Sequence, residues 1–350
     1  MLSLPAEVQL DVLKYLTFNQ LFSVKQTNFY FCNLISKYEG QLARKRFRGI
    51  SLGERGDVVH PSFTYKSIET QLGVFEFTLN DQLKEKWQTV IDRSIPLFIN
   101  NSESGTTIVS ITVGLRKSRV ILNYSDFVDP ELNYLLILPT VSKNIEEMIM
   151  VRCWLEQLFK CAFECLYFYE CVFNPEMIDI LFDNDKTLPL QFNIQEASIW
   201  ANNATIENVL KFSLNHLTIS ESLCINLVKV DITDQHIDIL FNIIITGANK
   251  FPKVHLRSSK LRKLLDLIIE YIATSRDFSK IVPVITLDYL SSTNFKLSER
   301  AKKVEIKQLK GVKYTKYQIT NIYNPRVRFS FCNEERRNGY IYIQIRKKEE

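Results

Sequence analysis

Over the first fifty residues, apolar positions recur at helical spacing three times in quick succession. Val8, Val12, Tyr15 and Leu16 form a stripe behind Pro5, which suits a first turn, and Glu7, which favours the positive end of a helix. Thr17-Phe18-Asn19-Gln20 has the spacing of a capping box ahead of Leu21, Phe22 and Val24, with the Thr hydroxyl and the Gln side chain each satisfying an orphan backbone donor. A third start at Thr27 or Asn28 leads into Phe31, Leu34, Ile35 and Tyr38. From there the pattern predicts helix through Leu42 and Phe47 to a stop at Gly49. Helices this short are not stable in isolation, so the three must pack on one another or on a partner.

Five Gly or Pro among residues 49–73, with no sustained period, predict a linker with a boundary near residue 60. Beyond it, Asn80 and Asp81 precede Leu83, Trp87, Val90 and Ile91 at helical spacing, and TTIVSITV with SRVILNY reads as a strand pair. Ile145, Met148, Ile149, Leu155, Phe159 and Phe163 then predict a long amphipathic helix, LYFYECVF a strand, and Asn174-Pro175-Glu176 a capped helix start. Strand starts near Leu166, Leu190, Leu214, Val228, Val254 and Val284 alternate with helices over 175–183, 203–212, 234–246 and 259–274. Most spacings lie near the roughly 20–29 residues of leucine-rich repeats, although only fragments such as LNHLTI and LDYL approach that consensus. A single α/β sheet with crossover helices requires the same alternation. After Leu297, KVEIKQL, KYQITNIY, VRFSF and YIYIQIRK alternate with period two and predict a closing antiparallel sheet. The expected fold is α+β: a three-helix unit over residues 1–48, a linker over 49–73, and an irregular α/β leucine-rich-repeat-like region over 74–350 ending in antiparallel strands.

The 350 residues are 46% hydrophobic with 23 Phe and 15 Tyr, apolar surface enough to offset the entropy of ordering a large domain. Ten glycines leave little material for phosphate-cradling loops, which turns the reading away from nucleotide enzymes. The N-terminus lacks a basic n-region, and apolar stretches such as Ile239 to Ile245 fall far short of the roughly 18 residues that span a bilayer. Neither export nor a membrane is expected. Seven cysteines without regular pairing suit reduced thiols in the cytoplasm or nucleus. The net charge of +5 is uneven: from Lys296 to Glu350 there are 15 basic and 6 acidic residues.

Candidate chemistry is sparse. Cys153, Cys161, Cys165 and Cys171 cluster along the chain, but zinc sites use tight pairs with a second pair or histidines at similar spacing, and the spacers here are seven, three and five. With Cys161 and Cys165 placed along the amphipathic helix, they read as small buried apolar residues, and no metal or cofactor is expected. His60, His216, His236 and His255 sit in no catalytic motif, and G-x-S-x-G, H-E-x-x-H and G-x-x-x-x-G-K are absent. Arg44-Lys45-Arg46-Phe47-Arg48 and the basic C-terminal region, which interleaves Tyr314, Tyr317, Tyr323, Phe329, Tyr340 and Tyr342, have the look of a single-strand binder. A sheet with one solvated face gives the same pattern, and the modest total charge argues against nucleic acid.

LPAEVQLDVLKYLTFNQLFSVKQTNFYFCNLI, residues 4–35, resembles the F-box. Leu4, Pro5, Glu7 and Val8 match the family's opening, Leu13 and Leu16 the end of its first helix, and Leu21 and Val24 its second-helix aliphatics. Phe29 to Phe31 cover its aromatic position and Leu34-Ile35 its closing pair, while Gln20, Thr27 and Asn28 depart from it. With its long α/β region, the layout resembles the divergent F-box proteins expanded in nematodes. The resemblance implies a non-catalytic subunit of a Skp, cullin and F-box ubiquitin ligase. Leu4, Pro5, Val8, Leu13, Leu16, Leu21 and Val24 would bind the Skp adaptor, and through it cullin, while the C-terminal region captures a protein substrate. The alternative is a stand-alone repeat-like protein- or nucleic-acid-binding protein whose N-terminal helices form a cap.

Overall fold

Capping chemistry places the first elements where the pattern puts them. In a computed structural model, which describes residues 4–61, 63–73, 75, 77–100, 107–113, 132–183, 190–291, 297–336 and 339–348, the chain opens with α1 (Ala6–Lys14), α2 (Phe18–Lys25) and α3 (Phe29–Lys37). The capping box forms at the start of α2, where the Thr17 N–H donates to Gln20 Oε1 at 2.9 Å and the Gln20 N–H to Thr17 Oγ1 at 3.4 Å. Asn28 Oδ1 accepts from the Phe31 N–H at 2.9 Å to begin α3.

The helix does not run on to Gly49, and residues 49–73 are not simply a linker. A 3-10 turn, Glu39–Gln41, follows α3, and β1 (Lys45–Glu54) then enters the middle of a large sheet, with Ile50 and Leu52 fully buried. One of the glycines that suggested a linker marks a close approach: a Cβ on Gly53 would stand 3.1 Å from the Cβ of Tyr169 on the adjoining strand. The helical unit therefore ends before Lys45, ahead of the expected boundary at residue 48.

Next come α4 (Arg55–Val58), β2 (Thr64–Ile68), α5 (Asp81–Asp92), β3 (Phe98–Asn100), β4 (Thr107–Val113), β5 (Leu132–Leu136) and α6 (Ile145–Phe159). SRVILNY lies outside the described residues. The helix expected to reach Phe163 stops at Phe159, and Cys161 and Cys165 lie on a strand, β6 (Cys161–Tyr169). Neighbouring strands on both sides, and the burial of Phe163, Leu166 and Phe168, override the helical spacing.

Alternation then proceeds through β7 (Cys171–Phe173), α7 (Pro175–Phe182), β8 (Phe192–Asn202), α8 (Ile206–His216), β9 (Leu217–Lys229), α9 (Asp234–Thr246), β10 (Lys253–Arg257), α10 (Arg262–Thr274) and β11 (Val284–Ser291). No separate strand begins at Val228: β9 runs unbroken to Lys229, and residues 230–233 lead directly into α9. The chain closes with β12 (Lys302–Leu309), β13 (Val312–Thr320), β14 (Arg328–Glu335) and β15 (Tyr340–Lys348), each antiparallel to the next.

The fold is mixed α/β. Among the described residues, thirteen strands form one sheet in the order β12-β13-β14-β15-β11-β10-β9-β8-β6-β1-β4-β5-β2, and β3 pairs separately with β7. From β1 through β6, β8, β9 and β10 to β11 the strands are parallel and are laid down in chain order. Crossovers of one hand without a reversal of strand order stack the helices on one face of the sheet. That covered face carries the main core, including Phe168, Phe173, Phe192, Phe212 and Trp87. The opposite face carries the side chains that alternate with the core.

Candidate functional site

The three N-terminal helices hold a core of their own. Leu13, Leu21, Phe31, Leu34, Ile35 and Leu42 are buried together, with Leu10, Leu16, Val24 and Tyr38 packed against them, separate from the core under the sheet. Few contacts tie this unit to the rest: Arg44 Nη1 donates to the Phe159 carbonyl at 2.6 Å, Lys160 Nζ lies 3.4 Å from Glu39, and Lys45 Nζ sits 5.7 Å from the centre of the Phe18 ring.

Its outer surface is apolar. Leu4, Val8, Val12 and Tyr15 form one exposed line along α1, Tyr15 with 90% of its surface in solvent. Phe22, Phe29 and Tyr30 are exposed as well, Phe29 by 80%. The buried Gln9 holds the approach to α1, its Nε2 donating to the Leu4 carbonyl at 2.6 Å.

The seven residues expected to bind an adaptor are thereby divided. Leu4, Pro5 and Val8 face solvent, Leu16 and Val24 are half-buried at the edge of the small core, and Leu13 and Leu21 are inside it. Val12, Tyr15, Phe22, Phe29 and Tyr30 are the outward residues absent from that set. The helical spacing joined Val8, Val12 and Tyr15 into a stripe, but a stripe does not say whether it faces inward. Leu10 and Leu13 occupy the inward face instead.

A second surface is the open face of the sheet. Pairing aligns Tyr167, Ser198, Cys224, His255, Thr286, Gln344, Cys332 and Lys316 across eight strands. In the neighbouring row the Tyr169 and Trp200 rings stack at 5.0 Å, and Asn226, Arg257 and Asp288 follow. The buried Asp288 gathers nitrogen groups, with Arg336 Nη1 at 3.3 Å, Arg257 Nε at 3.6 Å and His255 Nε2 at 3.8 Å. Tyr342 closes the group, its ring 5.5 Å from the Arg336 guanidinium and 6.3 Å from the His255 ring.

Cys224 lies beside His255 in register, a pairing of nucleophile and base types. Burial pushes its thiol up to about 11, against the pull of Arg257, so it stays protonated at neutral pH and is a poor nucleophile. The clustered cysteines behave alike: burial raises Cys153 and Cys165, raises Cys161 to about 11 and raises Cys171 to about 12. Among the described residues, no three His, Cys, Asp or Glu side chains are grouped to hold a metal ion. Of the aromatics interleaved with C-terminal basic residues, Tyr317 and Phe329 are core, which removes them from any base-stacking platform.

A family model described as a domain of unknown function (DUF8381) matches residues 68–228, from the end of β2 to near the end of β9. The matched stretch takes in the first part of the singly wound region and excludes the N-terminal helices. No curated protein and no solved structure matches the chain. Among the described residues, no helix is long and apolar enough to cross a membrane.

Proposed function

We propose that the chain is a substrate-recognition subunit of a Skp, cullin and F-box ubiquitin ligase, in which the N-terminal helices dock on the adaptor and the leucine-rich-repeat-like sheet receives a protein substrate. The observation that carries this reading is the apolar outer surface of a unit whose core is already complete. Leu4, Val8, Val12, Tyr15, Phe22 and Phe29 lie outside that core, and Tyr30, though half-exposed, meets it edge-on at Phe31. Surface of this kind marks a protein interface. Fully burying one such aliphatic against a partner yields roughly 1.5–3 kcal/mol, so a few anchors outweigh the cost of association. The resemblance to the F-box supplies the identity of the partner. Within this reading the anchors are the outward residues, and Leu13 and Leu21 act by holding the helices together. No chemistry is asked of the chain itself in this reading.

The test is co-purification of the full chain with the Skp adaptor, followed by probing for cullin. Leu4→Ala with Val8→Ala should lower adaptor capture by at least about tenfold, or 1.4 kcal/mol, with circular dichroism and melting temperature unchanged. Leu13→Ala serves as the contrasting variant, since it loosens the unit itself. If the wild-type chain does not recover the adaptor, the ligase reading fails and the chain becomes a stand-alone binding protein; if the double variant captures normally, the interface lies elsewhere.

A further inference from the structure

We propose that the outer edge of β12 binds an extended acidic segment of a partner protein by strand addition. β12 ends the thirteen-stranded sheet, and among the described residues no strand pairs with its outer side. All eight of its residues are exposed, including Val304 and, at 62% each, Ile306 and Leu309. An edge strand open on both faces, with apolar side chains at its surface, is a template for another chain.

The turn fixes which backbone groups are free. Lys310 (φ 49°) and Gly311 (φ 78°) form a two-residue hairpin loop with positive φ at both positions, flanked by the pair Leu309 and Val312. In such a hairpin the flanking pair exchanges both hydrogen bonds and alternate pairs repeat the pattern, so Leu309 and Lys307 bond inward to β13. Ile306 and Gln308 then present their N–H and C=O groups outward. The bulge at Lys303, with φ 52°, ends the regular edge on the other side.

Charge selects the occupant. Residues 302–316 hold six lysines and one glutamate; Lys307 lies 3.9 Å from Glu305, and Lys313 lies 3.1 Å from Glu335 on β14. A second copy of this edge would set lysine against lysine, which is repulsive, whereas an acidic strand would find complementary charge on the face that carries Lys302, Lys307 and, on β13, Lys316. This edge deepens the substrate half of the function proposed above and rests on it only in taking the captured segment to be a substrate. The experiment contains no adaptor, so failure here and failure of adaptor capture are told apart.

The experiment is hydrogen exchange on the full chain, with a pool of synthetic peptides of about nine residues alternating Glu with Val, Ile or Tyr, and a control pool with Lys in place of Glu. The acidic pool should slow exchange of the amides in 305–309 by about tenfold or more, in a salt-weakened manner, and the Lys pool should not. Ile306→Pro deletes an outward donor without touching an inward one and should abolish that protection, whereas Ile306→Thr, which keeps the donor, should retain it. Should proline disturb the hairpin, peptides N-methylated at alternate residues give the same test on unaltered protein and should not protect. Absence of protection by the acidic pool, equal protection by the Lys or N-methylated pools, or protection that grows with protein concentration alone would each overturn the proposal, the last in favour of self-pairing.

Discussion

His216 closes α8 with its ring buried beside Phe212, and its Nδ1 meets the Leu190 carbonyl at 3.0 Å. That nitrogen therefore carries the proton of the neutral ring. Burial is the largest influence on its acidity and lowers its pKa, with Lys250 acting the same way; the Leu190 carbonyl and exposed Asp179, 3.8 Å from Nε2, oppose it. The unfolded chain thus binds more protons just below its ordinary value of about 6.5, and stability falls as pH drops through that range until it passes the depressed folded value. Urea unfolding between pH 7.5 and 5, on the order of the range that histidine controls, should show that slope in the wild type and a shallower one in His216→Gln, which keeps a donor for Leu190. Identical slopes would mean that burial of the ring carries no proton-linked cost. At this scale the sequence was most legible in the caps. Asn80 and Asn174 accept from backbone N–H groups at helix starts, as Thr17 and Asn28 do, because capping involves only neighbours in the chain. The direction in which Val8 or Leu13 points depends on distant residues, and the local pattern is silent about it.

Among elements, β1 departs furthest from expectation. Its first residues fit a helix and its glycines a linker, yet Gly53 stands where a Cβ would crowd Tyr169 on the adjoining strand, and Ile50 and Leu52 are core. The α6–β6 junction went unread for a related reason: Phe159 and Phe163 fit helical spacing, and only pairing with β1 and β8 makes Cys161–Tyr169 extended. By contrast α7 to α10 and the last four strands were legible, since a 3.6-residue or two-residue period persists through each. Removal of the N-terminal unit should accordingly depend on where the cut falls. A chain lacking residues 1–42 retains Arg44 and all of β1 and should melt cooperatively near the full-length temperature. One lacking residues 1–54 loses a central strand and should precipitate or lose its near-ultraviolet circular dichroism. Equal behaviour of the two would contradict the placement of β1.

In the whole molecule, two cores of unequal size are joined through β1, and one sheet accumulates strands in chain order until β11. The alternation of strand and helix was visible from residue 145 onward, but the continuity of the sheet across the expected linker was not, because pairing of β1 with β6 spans more than a hundred residues. Order departs from the chain on both flanks of that parallel run: β4, β5 and β2 lie beyond β1, with β2 outermost, and β15, not β12, joins β11. Ile341, Ile343 and Ile345 of β15 are buried there, so a chain ending at residue 339 should leave β12 to β14 without a strand to hold them to the sheet. Limited proteolysis should then cleave within 297–335 while the segment from β1 to α10 survives longer; undiminished resistance would show that the contacts of Asn321 with α10 suffice to hold these strands.

The strand order also bears on how the protein is made. As the chain leaves the ribosome, each strand from β6 to β11 meets a partner already synthesised, so the sheet can lengthen while translation proceeds. The last four strands follow a different timetable. Their attachment waits for the nine residues of β15, the last of the four, and until those emerge the lysine-rich β12–β13 hairpin travels with strands not yet fastened to the sheet.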